Sequence, residues 1–303
     1  MSEAWVTLAT NDDYAQGALV LVHSLRTVGT TRKIHCLISN EVSEAVRQQL
    51  VDHFDDVTVV DVFNSNDSQN LALIGRPDLG VTFTKLHCWR LTQYTKCVYL
   101  DADTLVLQNA DELFERPDFS AAADIGWPDT FNSGVFVFAP NQKTYNALVE
   151  FATTHGSYDG GDQGLLNDFF SNWRDLSPAH RLPFIYNMTS GTFYTYAAAY
   201  KKYGANTKIV HFIGPVKPWH GAAAVHTGEH FQQWQRIHQA HMVHTTNQTH
   251  CPTFVSEKER EQFKSPSPSM DDRRAAWESG NPDYLGRDAF IHIQEALNRA
   301  LNE

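Results

Sequence analysis

Two aspartates one residue apart close the apolar run Lys96-Cys-Val-Tyr-Leu-Asp-Ala-Asp-Thr-Leu105. At the carboxyl edge of a buried strand, Asp101 and Asp103 would crowd two negative charges together, which is costly unless a divalent cation neutralises them. The competing reading is an acidic turn that caps the next element. Far along the chain, Lys208-Ile-Val-His-Phe-Ile213 puts His211 inside a strand-like run, where a histidine either packs in the core or binds metal. Three residues on, Gly214-Pro-Val-Lys-Pro-Trp219 begins and places the Lys217 cation beside His211, well located for a diphosphate. The segment Asp159-Gly-Gly-Asp-Gln-Gly164 joins two carboxylates and an amide to three glycines. Its backbone allows close approach to a ligand and its side chains suit hydroxyl groups; a helix-capping turn fits the same residues. Phe131-Asn-Ser-Gly-Val-Phe136 likewise joins a polar turn to a strand.

These groups need a scaffold, and the first hundred residues supply its pattern. Strands are expected at Ala4 to Ala9, Ile34 to Ile38, Val57 to Val62 and Cys97 to Leu100, and helices at Ala15 to Leu25, Glu44 to Phe54 and Thr84 to Thr92. Such alternation predicts an α/β, doubly wound, mostly parallel sheet with flanking helices. Ligands then bind beyond the carboxyl ends of the strands, which singles out the turns after Ala9 and Leu100. Beyond residue 220 the chain turns polar and histidine-rich, and the stretch 221–263 reads as a surface helix and loop. The spacing of His238, His241 and His244 could hold a transition metal or form a solvated polar face. The residues 264–269, with Ser265-Pro-Ser-Pro-Ser269, read as an extended linker. In the segment 270–303, Phe290, Ile293, Leu297 and Leu301 fall on one helical stripe behind a cap at Asp288, and this apolar face must dock on something.

Composition narrows the classes of function. The 303 residues are 42% apolar, enough for one large core with an appendage. A net charge of −11, without a basic run, disfavours nucleic acid as a partner. No run of apolar residues is long enough to span a membrane, and Met1-Ser-Glu-Ala-Trp5 has no signal-peptide character, so a cytoplasmic location is expected. Cys36, Cys88, Cys97 and Cys251 lack metal spacing and are expected as free thiols. In that setting the N-x-S/T matches at Asn66, Asn187 and Asn247 carry no weight as glycosylation signals.

Taken together, the segments resemble the glycogenins, a group of the family 8 glycosyltransferases with the GT-A Rossmann-like fold. The resemblance runs through Leu8-Ala-Thr-Asn11 with Tyr14, Arg76-Pro-Asp-Leu-Gly80, Thr84-Lys-Leu-His-Cys-Trp89, Asp101-Ala-Asp103, Phe131-Asn-Ser-Gly134, Asp159 to Gly164, and His211 to Trp219. It implies Mn²⁺ held by Asp101, Asp103 and His211 with a diphosphate, and UDP-glucose as the donor. Leu8, Thr10, Asn11 and Tyr14 would surround uridine; Arg76, Lys85 and Lys217 would contact phosphate or ribose; Asn132, Ser133, Asp159, Asp162 and Gln163 would hold glucose. Ala102 and Gly214 complete the implied binding set, and Lys85, Asp159 and Asp162 the catalytic one.

The stretch Tyr186-Asn-Met-Thr-Ser-Gly-Thr-Phe-Tyr-Thr-Tyr196 resembles the family's acceptor region. It implies that Tyr194, the first of a Tyr-x-Tyr pair, receives glucose and is extended by α-1,4 links, which primes glycogen. Without the resemblance, Tyr194 would read as an aromatic on a helix face. Retention of the α configuration is implied, through front-face attack or a transient glucosyl carboxylate on Asp162. The resemblance further implies a homodimer and a glycogen synthase-binding helix within 270–303. The competing functions are an inactive scaffold that recruits the synthase, and a family 8 transferase acting on a small acceptor such as inositol.

Overall fold

The structure, a computed structural model, describes residues 2–191, 197–220 and 228–242. Tyr194, Tyr196, His244, Cys251, the Ser/Pro linker and the 270–303 helix therefore lie outside the described residues.

The chain opens as β1 (Glu3–Ala9), α1 (Asp12–Thr27), β2 (Lys33–Ser39), α2 (Glu44–His53) and β3 (Asp56–Val60). Helix α1 starts where it does because the Asn11 side chain accepts from the Tyr14 backbone N–H at 3.0 Å, satisfying a donor the helix leaves free. A short α3 (Ser68–Leu73) leads to tight 3-10 turns over Pro77–Arg90, then β4 (Lys96–Leu100) and β5 (Thr104–Val106). An α-helix was expected from Thr84 to Thr92. Thr84 to Trp89 are instead all buried, so this run has no solvated face and no single apolar stripe, and it is wound more tightly.

The second half supplies β6 (Ser120–Ala123), β7 (Phe131–Phe138), α4 (Gln142–Thr154), α5 (Asp162–Phe169), β8 (Arg181–Leu182), β9 (Met188–Thr189), α6 (Ala197–Tyr203), β10 (Ile209–His211) and α7 (Glu229–Met242). Seven strands form the main sheet in the order β3-β2-β1-β4-β7-β6-β8. Strands β1 to β4 run parallel, while β7 is antiparallel to both β4 and β6. The order reverses direction between β1 and β4, and this opens a crevice at their carboxyl ends. One core fills the α1 side of the sheet, around Trp5, Leu21 and Val98. The other fills the opposite side, around Trp89, Tyr99 and Phe136.

A second sheet, β5-β10-β9, lies apart from the first. Its antiparallel β5–β10 pairing sets His211 opposite Thr104, the residue after Asp103. Gly17 on α1 allows the close packing beneath this region, since a Cβ there would lie 2.4 Å from both the Ala102 carbonyl oxygen and the Trp219 ring.

The histidine-rich helix α7 packs by one face and keeps the other, with Gln232, Arg236 and His241, exposed; His244, the third histidine of the spacing, lies outside the described residues. Phe231 and Trp234 are buried with Val20 of α1. His238 stacks on Trp234 with centroids 4.9 Å apart, and His241 stacks on His23 at 3.5 Å. Burial, reinforced by His241 and His53, lowers the His23 pKa to about 4. Apolar residues at Phe231, Trp234 and Ile237 form the stripe that overrides the polar composition. Cys36, Cys88 and Cys97 are buried free thiols. Among the described residues no helix is long and apolar enough to cross a membrane.

Candidate active site

Strand β4 ends at Leu100 and carries Asp101 and Asp103 into the crevice on a turn tied down at both ends. The Asp101 backbone N–H donates to Gly134 O at 2.8 Å, and the Asp103 carbonyl accepts from Phe212 N–H at 2.9 Å. These two bonds, with the β5–β10 register, bring together segments that are more than a hundred residues apart. Ligand atoms of Asp101, Asp103 and His211 come within 4.8 Å of one another. Two carboxylates and an imidazole at that spacing suit a divalent cation.

His211 is held so that one particular nitrogen faces the aspartates. Its Nδ1 lies 2.9 Å from Asn187 Oδ1, an acceptor, so Nδ1 is the nitrogen that donates there and Nε2 is the one turned to the aspartates. Nε2 lies 3.2 Å from Asp103 Oδ1 and 3.9 Å from Asp101 Oδ2. Asn187 is oriented in turn by donating to Asn132 Oδ1 at 2.8 Å, and Asn132 donates to Asp124 Oδ2 at 3.0 Å. Gln163 donates to the same Asp124 oxygen at 3.1 Å and accepts from Ser133 N–H at 3.3 Å. The metal-facing imidazole and the polar groups of β7 and α5 are thus one hydrogen-bonded network. Gly134 makes room for it: a Cβ there would lie 2.2 Å from His211 Cε1.

Two buried lysines balance the carboxylates. Lys85, 3% exposed, sits 2.9 Å from Asp101 Oδ1 and 2.5 Å from Asp162 Oδ2, and donates to Ser133 O at 3.2 Å. Burial works against its charge, but Asp101 and Asp162 outweigh it and hold the ammonium protonated well above the ordinary lysine range. Lys217 contacts Asp103 Oδ2 at 2.5 Å. Burial would raise the Asp103 pKa, yet Lys217 and His211 overcome it and keep this carboxyl far below the usual range. Asp101 is pushed upward, by burial first and by the neighbouring Asp103 and Asp162 charges, against the pull of Lys85. A doubly charged ion beside Asp101 would relieve that penalty.

A cavity of about 250 Å³ opens onto these groups. Leu8, Thr10, Asn11 and Tyr14 line it from the end of β1 and the start of α1; Arg76 lines it from the loop after α3. Lys85, Asp101, Ala102, Asp103, Asp162 and Lys217 complete its charged floor. Arg76 is fixed by a two-pronged pair with Asp78, Nε to Oδ1 at 2.9 Å and a terminal nitrogen to Oδ2 at 2.7 Å. Asp162 opens α5, its backbone N–H donating to Thr82 Oγ1 at 3.0 Å.

His211, Asn132, Ser133 and Gln163 join the site through the cation cluster and the hydrogen-bonded network and not through the cavity wall, and Asp159 and Gly214 belong to neither. Asp159 Oδ1 accepts from Ser157 Oγ at 2.7 Å, Gly161 N–H at 2.9 Å and Gly164 N–H at 3.1 Å. Its carboxylate is occupied in capping α5 and does not line the cavity, so of its two sequence readings the structure supplies the helix-capping turn. Gly214, at φ +120, is likewise off the cavity wall and turns the chain between His211 and Lys217. Asn187, Asp124, Thr82 and Tyr99 belong to the site although no motif marked them. Asn187 carried an N-x-T match and a place in the acceptor-like stretch, neither of which points to a bond with His211.

Asn187→Ala is expected to weaken divalent-cation binding about tenfold to a hundredfold, because His211 loses the acceptor that fixes its tautomer. Asn187→Asp, which keeps an acceptor, should recover part of it, and cation titration of the folded variants reads both. Equal affinity in Asn187→Ala and the parent would show that the tautomer is set otherwise.

The profile of Glycosyl transferase family 8 matches residues 5–223. Glycogenin-1 of Caenorhabditis elegans is 57% identical, with 100% of each chain covered, and glycogenin-1 of Oryctolagus cuniculus is 44% identical, with 99% of each covered. Among solved structures, the glycosyltransferase GlyE of Streptococcus pneumoniae superposes with a TM-score of 0.57 at 20% identity, over 78% of this chain and 60% of that one. That likeness speaks to the fold alone, whereas the sequence matches extend through the cation cluster, both lysines and the crevice around them. The chain therefore belongs to glycosyl transferase family 8, in its glycogenin group, and is a glycosyltransferase of the GT-A fold.

Proposed function

We propose that this chain transfers glucose from UDP-glucose to its own Tyr194 and extends it with α-1,4 links, priming glycogen synthesis, with Mn²⁺ as the ion. The reading rests on one observation above all: Asp101, Asp103 and His211 converge beside Lys85 and Lys217 at the mouth of a nucleotide-sized crevice. The end-to-end match to glycogenins supports the choice of donor and acceptor.

Uridine is placed against Leu8, Thr10, Asn11 and Tyr14, and the diphosphate over Asp101, Asp103 and His211. When bound, the ion supplies Lewis acidity at the diphosphate oxygens. Lys85 and Lys217 are already charged and buried, so they stabilise negative charge on the departing β-phosphate without reorganising. Asn132, Ser133 and Gln163 present hydrogen-bonding groups to glucose, and Asp162 offers its carboxylate to the positive charge that develops at the anomeric carbon. The Tyr194 phenol, which ordinarily titrates near pH 10, gives up its proton as it attacks, to the departing phosphate oxygen or to a nearby carboxylate.

Intact-mass measurement after incubation with UDP-glucose and Mn²⁺ tests this directly, with successive additions of one hexose expected. Transfer to added inositol with no change in the protein's own mass would point to a small-acceptor enzyme. No transfer at all, with metal bound, would leave a scaffold.

A cytoplasmic homodimer that binds glycogen synthase through 270–303 is part of the same proposal. The Ser/Pro linker and the stripe of Phe290, Ile293, Leu297 and Leu301 support it, since a tethered amphipathic helix suits a partner's groove. Ending the chain at Lys264 should preserve self-glucosylation and melting temperature and abolish synthase binding, and Phe290→Ala with Leu297→Ala should do the same. Unfolding of the shortened chain, or undiminished binding, would place the helix in the core instead.

A further inference from the structure

Trp219 does not line the cavity, yet its ring packs against two segments that do. Tyr14 and Gly17 are three residues apart on α1 and share one side of the helix. The indole lies across that side: a Cβ at Gly17 would come within 2.4 Å of it, and the Tyr14 ring meets it edge-on, with centroids 5.2 Å apart and planes at 64°. The same Gly17 faces the Ala102 carbonyl, which lies between the two aspartates. The Trp219 N–H is buried and finds no acceptor among the described residues. Ring contacts and not a hydrogen bond therefore hold this side chain in place.

Helix α7 supplies the support. Trp219 packs on Trp234 with centroids 6.3 Å apart, and Trp234 is stacked by His238 at 4.9 Å. The helix is in turn seated on α1, through Phe231 and Trp234 against Val20 and with His238 Nε2 3.2 Å from Gln16 Oε1. Tyr14, the ring that Trp219 meets, forms the cavity wall at the start of α1. Burial, with the charges of Asp103 and Asp78, raises its pKa well above the ordinary phenol range, so it presents a neutral ring to the crevice.

From these contacts we infer that Trp219 is a positioning residue for the nucleotide: braced by α7, it fixes the Tyr14 ring in the orientation that receives uridine. The inference rests on the proposed placement of uridine against Tyr14 and adds what holds that wall in place. An aromatic side chain on a helix has more than one staggered orientation open to it unless a neighbour blocks the others. The Trp219 edge contact is such a neighbour. A ring that is already ordered loses no rotamer freedom when the nucleotide arrives, so the brace shows itself as affinity.

The test titrates the full chain with UDP and with UMP in the presence of Mn²⁺. Trp219→Leu, which keeps an apolar side chain and removes the ring, should weaken both nucleotides about tenfold. Trp219→Phe restores an aromatic edge and loses no hydrogen bond, so it should stay within about threefold of the parent. In donor hydrolysis the Trp219→Leu loss should appear as a raised KM for UDP-glucose, with kcat near the parental value. Added to Tyr14→Ala, Trp219→Leu should weaken UDP no further, because it acts through that ring. Parental affinity in Trp219→Leu, whatever its melting temperature, would reduce Trp219 to core packing and overturn the inference. Losses that multiply in the double variant would overturn it too, as would a loss confined to UDP, which would assign the effect to Lys217 two residues away. A parent that binds neither nucleotide would overturn the donor reading itself, and this inference with it.

Discussion

Asp103→Asn is expected to lower both self-glucosylation and UDP-glucose hydrolysis about a thousandfold. One carboxylate serves three partners: Oδ2 neutralises Lys217 at 2.5 Å, Oδ1 faces His211 Nε2 at 3.2 Å, and both oxygens are available to the ion. An amide keeps the shape and loses the charge, so the cation is held more weakly and the leaving group is less stabilised. Lys217 would remain buried without its counter-charge, and removing one partner of a buried pair costs roughly 3 to 5 kcal/mol. The melting temperature should therefore fall in the cation-free protein, a second readout independent of turnover. The backbone bond from Phe212 to the Asp103 carbonyl survives the change, so the β5–β10 junction should persist. Unimpaired donor hydrolysis at ordinary Mn²⁺ concentration would remove Asp103 from the metal site.

Tyr194→Phe should abolish hexose addition to the protein and leave transfer to an added maltoside largely intact. None of the groups that converge on the crevice depends on this hydroxyl: the cation cluster, the two lysines and the Asp124 network are complete without it. The two variants therefore separate machinery from acceptor. Asp103→Asn stops both reactions, and Tyr194→Phe stops one. Intact mass and maltoside assays on the same preparations check the pair. Hexose accumulating at the normal rate on the Tyr194→Phe protein would move the acceptor elsewhere, with Tyr196 the first candidate.

Where local chemistry decided the structure, the sequence was sufficient. The alternation of apolar strands and amphipathic helices specified β1 to β4 and the crevice at their carboxyl ends, because each element's periodicity is set by its own residues. Asp101 and Asp103 were legible for the same reason: a strand that ends in two carboxylates cannot hide them. The family resemblance added the lysines and the β7 and α5 residues, and ten of the residues it implied line the cavity together with the Arg76 pair.

Tertiary structure decided what depends on contacts between distant segments. His211 could have been a core residue, and only its antiparallel pairing opposite Thr104 makes it a partner of Asp103. Asn187 and Asp124 act through hydrogen bonds that span 24 and 39 residues, and single polar side chains at such separations leave no periodic trace. Asp159 and Asp162 look equivalent in sequence. The turn directs the first onto backbone N–H groups and the second onto Lys85, a difference set by position: Asp159 lies in the turn before α5 and Asp162 is the helix's first residue. In the same way α7 reads as polar until α1 covers its Phe231 and Trp234, because burial is conferred by the neighbour and not by the helix that carries these residues.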